Sequence, residues 1–222
     1  MRRVLRLPAA SILACVLTGG LFFGGCLGTA GSMSTVDPVS RTESEAGIQP
    51  DRPPTAKTLY TMADMLAKQG RDSECELILR RLLGRYPEHS AAYDALARLQ
   101  MRKRRTSEAV RTLKRGLEVN PDDPLLLNNL GVCMLVRRDF TKALDLFTAA
   151  AGIAGENTRY RANAAVALGL LGRYDESLAL FRQILPEEKA LQNLEIVRQA
   201  RQDVIEQLVT NTADEPANGS SQ

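Results

Sequence analysis

Four cysteines and a single histidine are the residues of this chain best suited to covalent or metal chemistry. Their placement excludes most of it. Cys15 lies in an apolar stretch near the start, Cys26 follows two glycines, and Cys75 and Cys133 fall far apart in segments with helical periodicity. His89, the only histidine, sits between two such segments close to Pro87, so no His/Cys set has metal-ligand spacing. No nucleophile has a base beside it, and no glycine-rich loop offers a phosphate cradle. Cys75 and Cys133 read as small buried apolar residues, not as a disulfide. The residues therefore predict a binding module rather than an enzyme, with no metal, no cofactor and no small-molecule substrate.

Cys26 carries chemistry of another kind. Arg2, Arg3 and Arg6 precede an apolar run from Ala9 to Phe23, and Gly24 and Gly25 lead into Cys26. A basic start, an apolar middle and small residues describe an export signal. The run FGGC, followed by Leu27, resembles a bacterial lipobox, in which Cys26 would take lipid on its thiol and become the first mature residue. Phe23 stands where that motif usually has Leu, so an uncleaved membrane anchor and ordinary signal-peptide cleavage remain alternatives. The run is short for a spanning helix and contains Gly19 and Gly20, which favours its removal. Residues 1–25 are thus read as a signal peptide. Residues 26–55, rich in Gly, Ser, Thr, Asp and Pro, are read as a lipidated cysteine and a disordered tether. The expected location is the periplasmic face of the outer membrane, held by lipid.

Charge supports that division. The chain holds 29 Lys and Arg against 26 Asp and Glu, a formal net charge of +3. Arg2, Arg3 and Arg6 account for the whole surplus, so the mature chain is near neutral. Phosphate contacts need a basic excess, and a nucleic-acid binder is not expected. The cluster Arg102-Lys103-Arg104-Arg105 falls at a turn between helices. Solvation is its plain reading, with anionic lipid head groups or an acidic partner as the alternative.

From Ala56 onward the apolar pattern is helical and periodic. In the stretch from Asp123 to Ala150, Leu127, Leu130, Met134 and Leu135 share one helical face, and Ala143, Leu146, Phe147 and Ala150 start a second. A shift of 34 residues superimposes this pair on its neighbours: Leu59, Tyr93 and Leu127 align, as do the small residues Cys75, Ala109, Ala143 and Ser177. Leu79, Leu113, Phe147 and Phe181 are the large partners, and Pro87 and Pro121 close their repeats. A helix–turn–helix of this length and pattern resembles the tetratricopeptide repeat. The resemblance implies an all-α solenoid of four hairpins beginning at 56, 90, 124 and 158 within a 56–209 domain. Leu191, Leu194, Val197, Ile205 and Leu208 predict a capping helix over about 187–209, and 210–222 read as a disordered tail.

In proteins of this class the first helix of each repeat lines the concave groove. Carried over position by position, the resemblance implies a protein-binding groove. It is made of Tyr60 and Asp64 from the first repeat, Asp94 and Arg98 from the second, Asn128, Val132, Leu135 and Val136 from the third, and Ala162, Val166 and Leu170 from the fourth. Such a groove is charged in its first half and apolar in its second, a trough suited to an amphipathic helix. Val132, Val136, Val166 and Leu170 have ordinary packing beneath the capping helix as their alternative. Asn128, Asn129 and Asn163 are expected to offer hydrogen bonds to a bound backbone. Tyr60 and Asp64 stand where chaperone-type repeats carry Lys and Asn, so an acidic chaperone tail is not the expected ligand.

The runs LNNLGVCMLVRRDFTKALDLFTAA and RYRANAAVALGLLGRYDESLALFRQIL, with the shortened step into ALQNLEIV, resemble the lipoprotein of the tight-adherence (Flp) pilus assembly system, the TadD family. That resemblance implies a pilotin-like assembly factor, with a secretin or pilus component as client and the membrane engaged through lipid on Cys26. A general envelope scaffold that docks cell-wall enzymes or outer-membrane assembly factors is the alternative.

Overall fold

The computed structural model describes residues 53–213, with side chains described as far as Gln207. The signal segment, Cys26 and the tether up to residue 52 lie outside the described residues, as do 214–222. The described residues from Pro54 onward form a compact unit. Among the described residues nine helices follow one another: α1 (Ala56–Lys68), α2 (Asp72–Arg85), α3 (Ser90–Arg102), α4 (Thr106–Val119), α5 (Pro124–Val136), α6 (Phe140–Ile153), α7 (Thr158–Leu170), α8 (Tyr174–Ile184) and α9 (Glu187–Ala213). Among the described residues there is no strand.

Local chemistry sets the helix ends. The Thr55 hydroxyl accepts from the Thr58 amide at 3.2 Å to start α1. Asp123 accepts from the amides of Leu125 and Leu126 at 2.9 and 3.0 Å, with Pro124 pre-set in the first turn of α5. Asn157 caps α7 in the same way, through the Arg159 amide at 3.2 Å. All four first helices end alike. The amides of Arg71, Arg105, Asp139 and Arg173 reach back five residues to Leu66, Gln100, Met134 and Leu168, across a residue in the left-handed conformation. That residue is Gly70 in the first repeat and Gly172 in the fourth, but Arg104 (φ 58°) and Arg138 (φ 61°) in the second and third. An L side chain there costs about 1 kcal/mol relative to glycine.

Each second helix buries one large and one small residue, and in the third hairpin the large one sets against a small residue of the first helix. Leu79, Leu113, Phe147 and Phe181 are buried to 2% exposure or less, and the small residues Cys75, Ala109, Ala143 and Ser177 near them in sequence to 3% or less. At Gly131 a Cβ would stand 2.6 Å from the Phe147 ring, so glycine alone admits the larger side chain. Ser177, the one polar member, donates its hydroxyl to the Ala165 carbonyl at 2.7 Å and so lies buried without penalty.

The junction between the first two repeats is ionic. Glu76 on α2, 13% exposed, receives Arg105 from the α3–α4 turn at 2.5 Å and Arg80 at 2.8 Å, with Lys103 at 3.6 Å. Arg102 meets Asp72 at 2.8 Å beside it. The basic cluster at this turn is therefore partly engaged between repeats. The hydrogen bond from Arg105 chiefly, with that from Arg80, holds the Glu76 carboxyl down at about 2, against the penalty of burial. The matching positions 34 residues on are Val110 and Leu144, so later junctions are apolar there.

The last hairpin is covered by α9, which packs on both α7 and α8. Ala190, Leu194, Val197 and Ala200 form its buried stripe, and Val197 seats directly on Gly169. α9 runs to Ala213, four residues into the segment read as a tail. Beyond the end of α7 it continues past the turns: Arg201 lies against Gly172, and Gln207 accepts from Arg138 at 2.5 Å.

Two outcomes follow. Ala143→Glu buries an unpaired charge between helices and should lower the melting temperature sharply, at a cost of several kcal/mol; an unchanged circular-dichroism melt contradicts the packing. Glu76 binds its proton more weakly folded than unfolded, so its contribution is full above about pH 4.5 and lost as pH falls towards 2. Glu76→Gln should cost about 1–3 kcal/mol at pH 7 by urea unfolding, with the gap closing by about pH 2.

Candidate protein-binding groove

The first helices form the inner face of the solenoid. α3 packs on α5 and α5 touches α7, whereas consecutive second helices make no comparable contact. The inner side chains differ widely in access. On α1, Tyr60 is half-buried and stacks obliquely on His89 with ring centroids 5.1 Å apart, while exposed Asp64 pairs with Lys68 at 2.7 Å. On α3, Asp94 is buried and Arg98 lies exposed, joined at 3.0 Å.

Three of the residues assigned to the groove surface are not on it. Asp94, Asn128 and Leu170 are 5%, 9% and 5% exposed. Leu170 lies where α9 packs along α7, so it is core. Asp94 and Asn128 belong to a side-chain ladder that stitches the first helices together. Asn163 donates to Asn128 at 2.7 Å, Asn128 donates to Asn129 at 3.1 Å, and Asn129 donates to Asp94. The two inter-repeat steps each span 35 residues, linking one position of a repeat to the next-numbered position of its successor. These amides bond one another, so they do not stand free for a client's backbone. Polar residues at inner-face positions looked solvated in sequence; the paired offsets Asp94/Asn129 and Asn128/Asn163 were the signal for the ladder.

What remains accessible is an apolar strip along α5. Leu125 and Val136, near its two ends, are 40% and 47% exposed. Val132 and Leu135, with Ala162 and Val166 on α7, are partly exposed. Arg98 and Arg159 stand exposed on the helices to either side. Such a surface can take the apolar face of a helix or an extended segment and offers no acid, base or nucleophile. Beneath it, burial pushes the Cys133 thiol up to about 12, and its sulfur lies 3.5 Å from that of Met101. It is inert as a thiolate at neutral pH. Cys75 is likewise free and buried. Among the described residues no group of His, Cys, Asp and Glu could hold a metal ion, and no helix is long and apolar enough to cross a membrane.

Burial raises the Asp94 carboxyl, against the charge of Arg98 and the hydrogen bond from Asn129. A carboxyl raised in the folded state favours folding most at low pH, and that contribution is lost as pH rises through its folded value. Asp94→Asn, which keeps an acceptor for Asn129, should therefore be at least as stable as wild type at pH 7. Its advantage should shrink on acidification, opposite in sign to Glu76→Gln; a large loss at pH 7 would show that the Arg98 pair dominates.

Comparison with known proteins matches this geometry. Residues 95–158 and 57–89 each match a tetratricopeptide-repeat family model. Similar solved structures include YrrB, described as a TPR protein with an unusual peptide-binding site, at 16% identity and TM-score 0.55, over 72% of this chain and 88% of that one. A crystal structure of MamA is similar at 11% identity and TM-score 0.56, over 75% of this chain and 97% of that one. Another MamA structure gives 12% and 0.55, over 63% and 84%. Identities this low speak to the fold alone. No curated protein matches the chain in sequence. Residues 57–89 and 95–158 thus carry tetratricopeptide repeats, and the described residues fold as an all-α solenoid of that type.

Proposed function

We propose that this protein is a lipid-anchored interaction module of the bacterial envelope. In this reading it is a pilotin-like factor that holds a segment of a secretin or pilus component while the channel or pilus assembles. The observation that carries the reading is the apolar strip on α5, from Leu125 to Val136, left open on the inner face between Arg98 and Arg159. A strip of that length suits an amphipathic helix or an apolar extended segment. In this reading the client lies along the third and fourth repeats, where Val132, Leu135, Ala162 and Val166 are partly exposed. The lipid anchor is supported by the order of basic, apolar and small residues ahead of Cys26, and the narrower pilus role by the resemblance of residues 127–197 to the TadD family. A lipid at one end and a client site at the other bring a channel subunit to a membrane.

Capture of the full-length tagged protein from envelope extracts tests this. Wild type should carry a secretin or pilus subunit with it. Val136→Glu, on an exposed position, should melt like wild type yet lose that subunit about tenfold or more, as hot-spot truncations do. Leu77→Glu, on the outward face of α2 where the side chain is 66% exposed, should retain it. Recovery of cell-wall enzymes or outer-membrane assembly factors alone would make the protein a general scaffold, and equal behaviour of the two variants would overturn the groove.

A further inference from the structure

The turns within the repeats form one edge of the solenoid, and that edge carries a row of guanidinium groups. The left-handed position recurs every 34 residues, at 70, 104, 138 and 172, and glycine suits it best. The second and third repeats place Arg104 and Arg138 there despite that preference. The fourth repeat has Gly172, and the space a Cβ would occupy is taken by the guanidinium of Arg201, 3.2 Å away, brought by α9. Three successive turns thus carry an arginine, two from the turn itself and one from the capping helix. Arg137 adds a fourth, exposed beside Arg138. Among the described residues no carboxylate lies within ion-pair distance of any of the four; Arg138 donates to the neutral amide of Gln207, at 2.5 Å. Neighbouring turn residues are neutralised by contrast, as in Arg71–Glu74, Arg105–Glu76 and Arg173–Glu176. An unfavourable backbone conformation kept for an unpaired cation points to a use for the charge.

We propose that this edge, through Arg104, Arg137, Arg138 and Arg201, docks on the anionic phospholipid head groups of a bilayer. Packed helices lie roughly 8–10 Å apart, so guanidinium groups on successive turns are too widely spaced to share one phosphate and instead suit separate head groups. The planar fork of arginine binds phosphate oxygens in pairs. The choice of a bilayer over an acidic protein rests on the lipid-anchored reading above. The edge lies about 20 Å from Thr55, the length of α1. The residues between Cys26 and Pro54 can extend by at most ~3.3–3.6 Å each, ample to let the edge turn towards the membrane that holds the lipid. Docked in this way, the basic edge fixes which way the groove faces.

The test uses the chain from Cys26 to Gln222, unlipidated, sedimented at low salt with vesicles of phosphatidylcholine, with or without a third of phosphatidylglycerol. Binding should appear with the anionic vesicles and fall steeply with added salt. The double variant Arg104→Gly, Arg138→Gly places the favoured residue at both turns, so it should melt within a few degrees of wild type. It should bind about thirty-fold more weakly, from the usual worth of an arginine near an anionic surface. Lys114→Gln with Arg115→Gln, on exposed positions of α4, should bind like wild type. Equal binding to both vesicle types, no loss in the double glycine variant, loss only in the α4 variant, or binding to polyglutamate in place of vesicles would each overturn the proposal. The chain carries no lipid in this assay. The anchor is judged separately, by whether Cys26→Ser moves the full-length protein from the membrane to the soluble fraction.

Discussion

The distance of approach between the two helices of a hairpin governs everything else in the repeat unit. Small residues at Cys75, Ala109, Ala143 and Ser177 let the helices close, and Leu79, Leu113, Phe147 and Phe181 fill what remains. The match is one of volume: where Phe147 stands, the facing residue of α5 is Gly131, which has no Cβ to meet the ring. Close-packed interiors tolerate such trades only in pairs, since an extra methylene on one side must be removed from the other. Because no hairpin can bury both of its faces alone, the same constraint dictates stacking, and it dictates a cap. α9 is that cap, seated by Val197 on Gly169.

Different junctions of one repeating fold are held by different forces, and this is what makes the inner face uneven. Between the first two repeats Glu76 gathers Arg80, Arg105 and Lys103. At the later junctions Val110 and Leu144 replace the carboxylate, and the polar work passes to the inner face, where Asn129 holds Asp94 and Asn163 holds Asn128. The amide ladder withdraws Asp94, Asn128 and Asn163 from solvent, while Leu125 and Val136 of α5 stay exposed. The residues that join the repeats therefore also shape the inner face.

Much of this was legible in the sequence because it follows from period and volume. The 34-residue step located the small and large partners, and Asp123-Pro124 marked the start of α5. What escaped were features that depend on two repeats at once. Asp94 and Asn128 have side chains that look solvated on a single helical wheel, and only the 35-residue offset to Asn129 and Asn163 shows that each has a partner. Leu170 looked like groove lining because it occupies a first-helix position, yet the long α9 buries that end of α7. Arg104 read as part of a solvated turn cluster until the backbone showed that it, like Arg138, occupies the position of Gly70 and Gly172.

The central claim is that a client lies along α5 on the inner face. In-cell photo-crosslinking tests it most directly, with the crosslinking residue placed at Val136 and, separately, at Leu77. Adducts with a secretin or pilus subunit from Val136, and none with that subunit from Leu77, are the predicted result. The same adduct from both positions, or adducts from Leu77 alone, would contradict it.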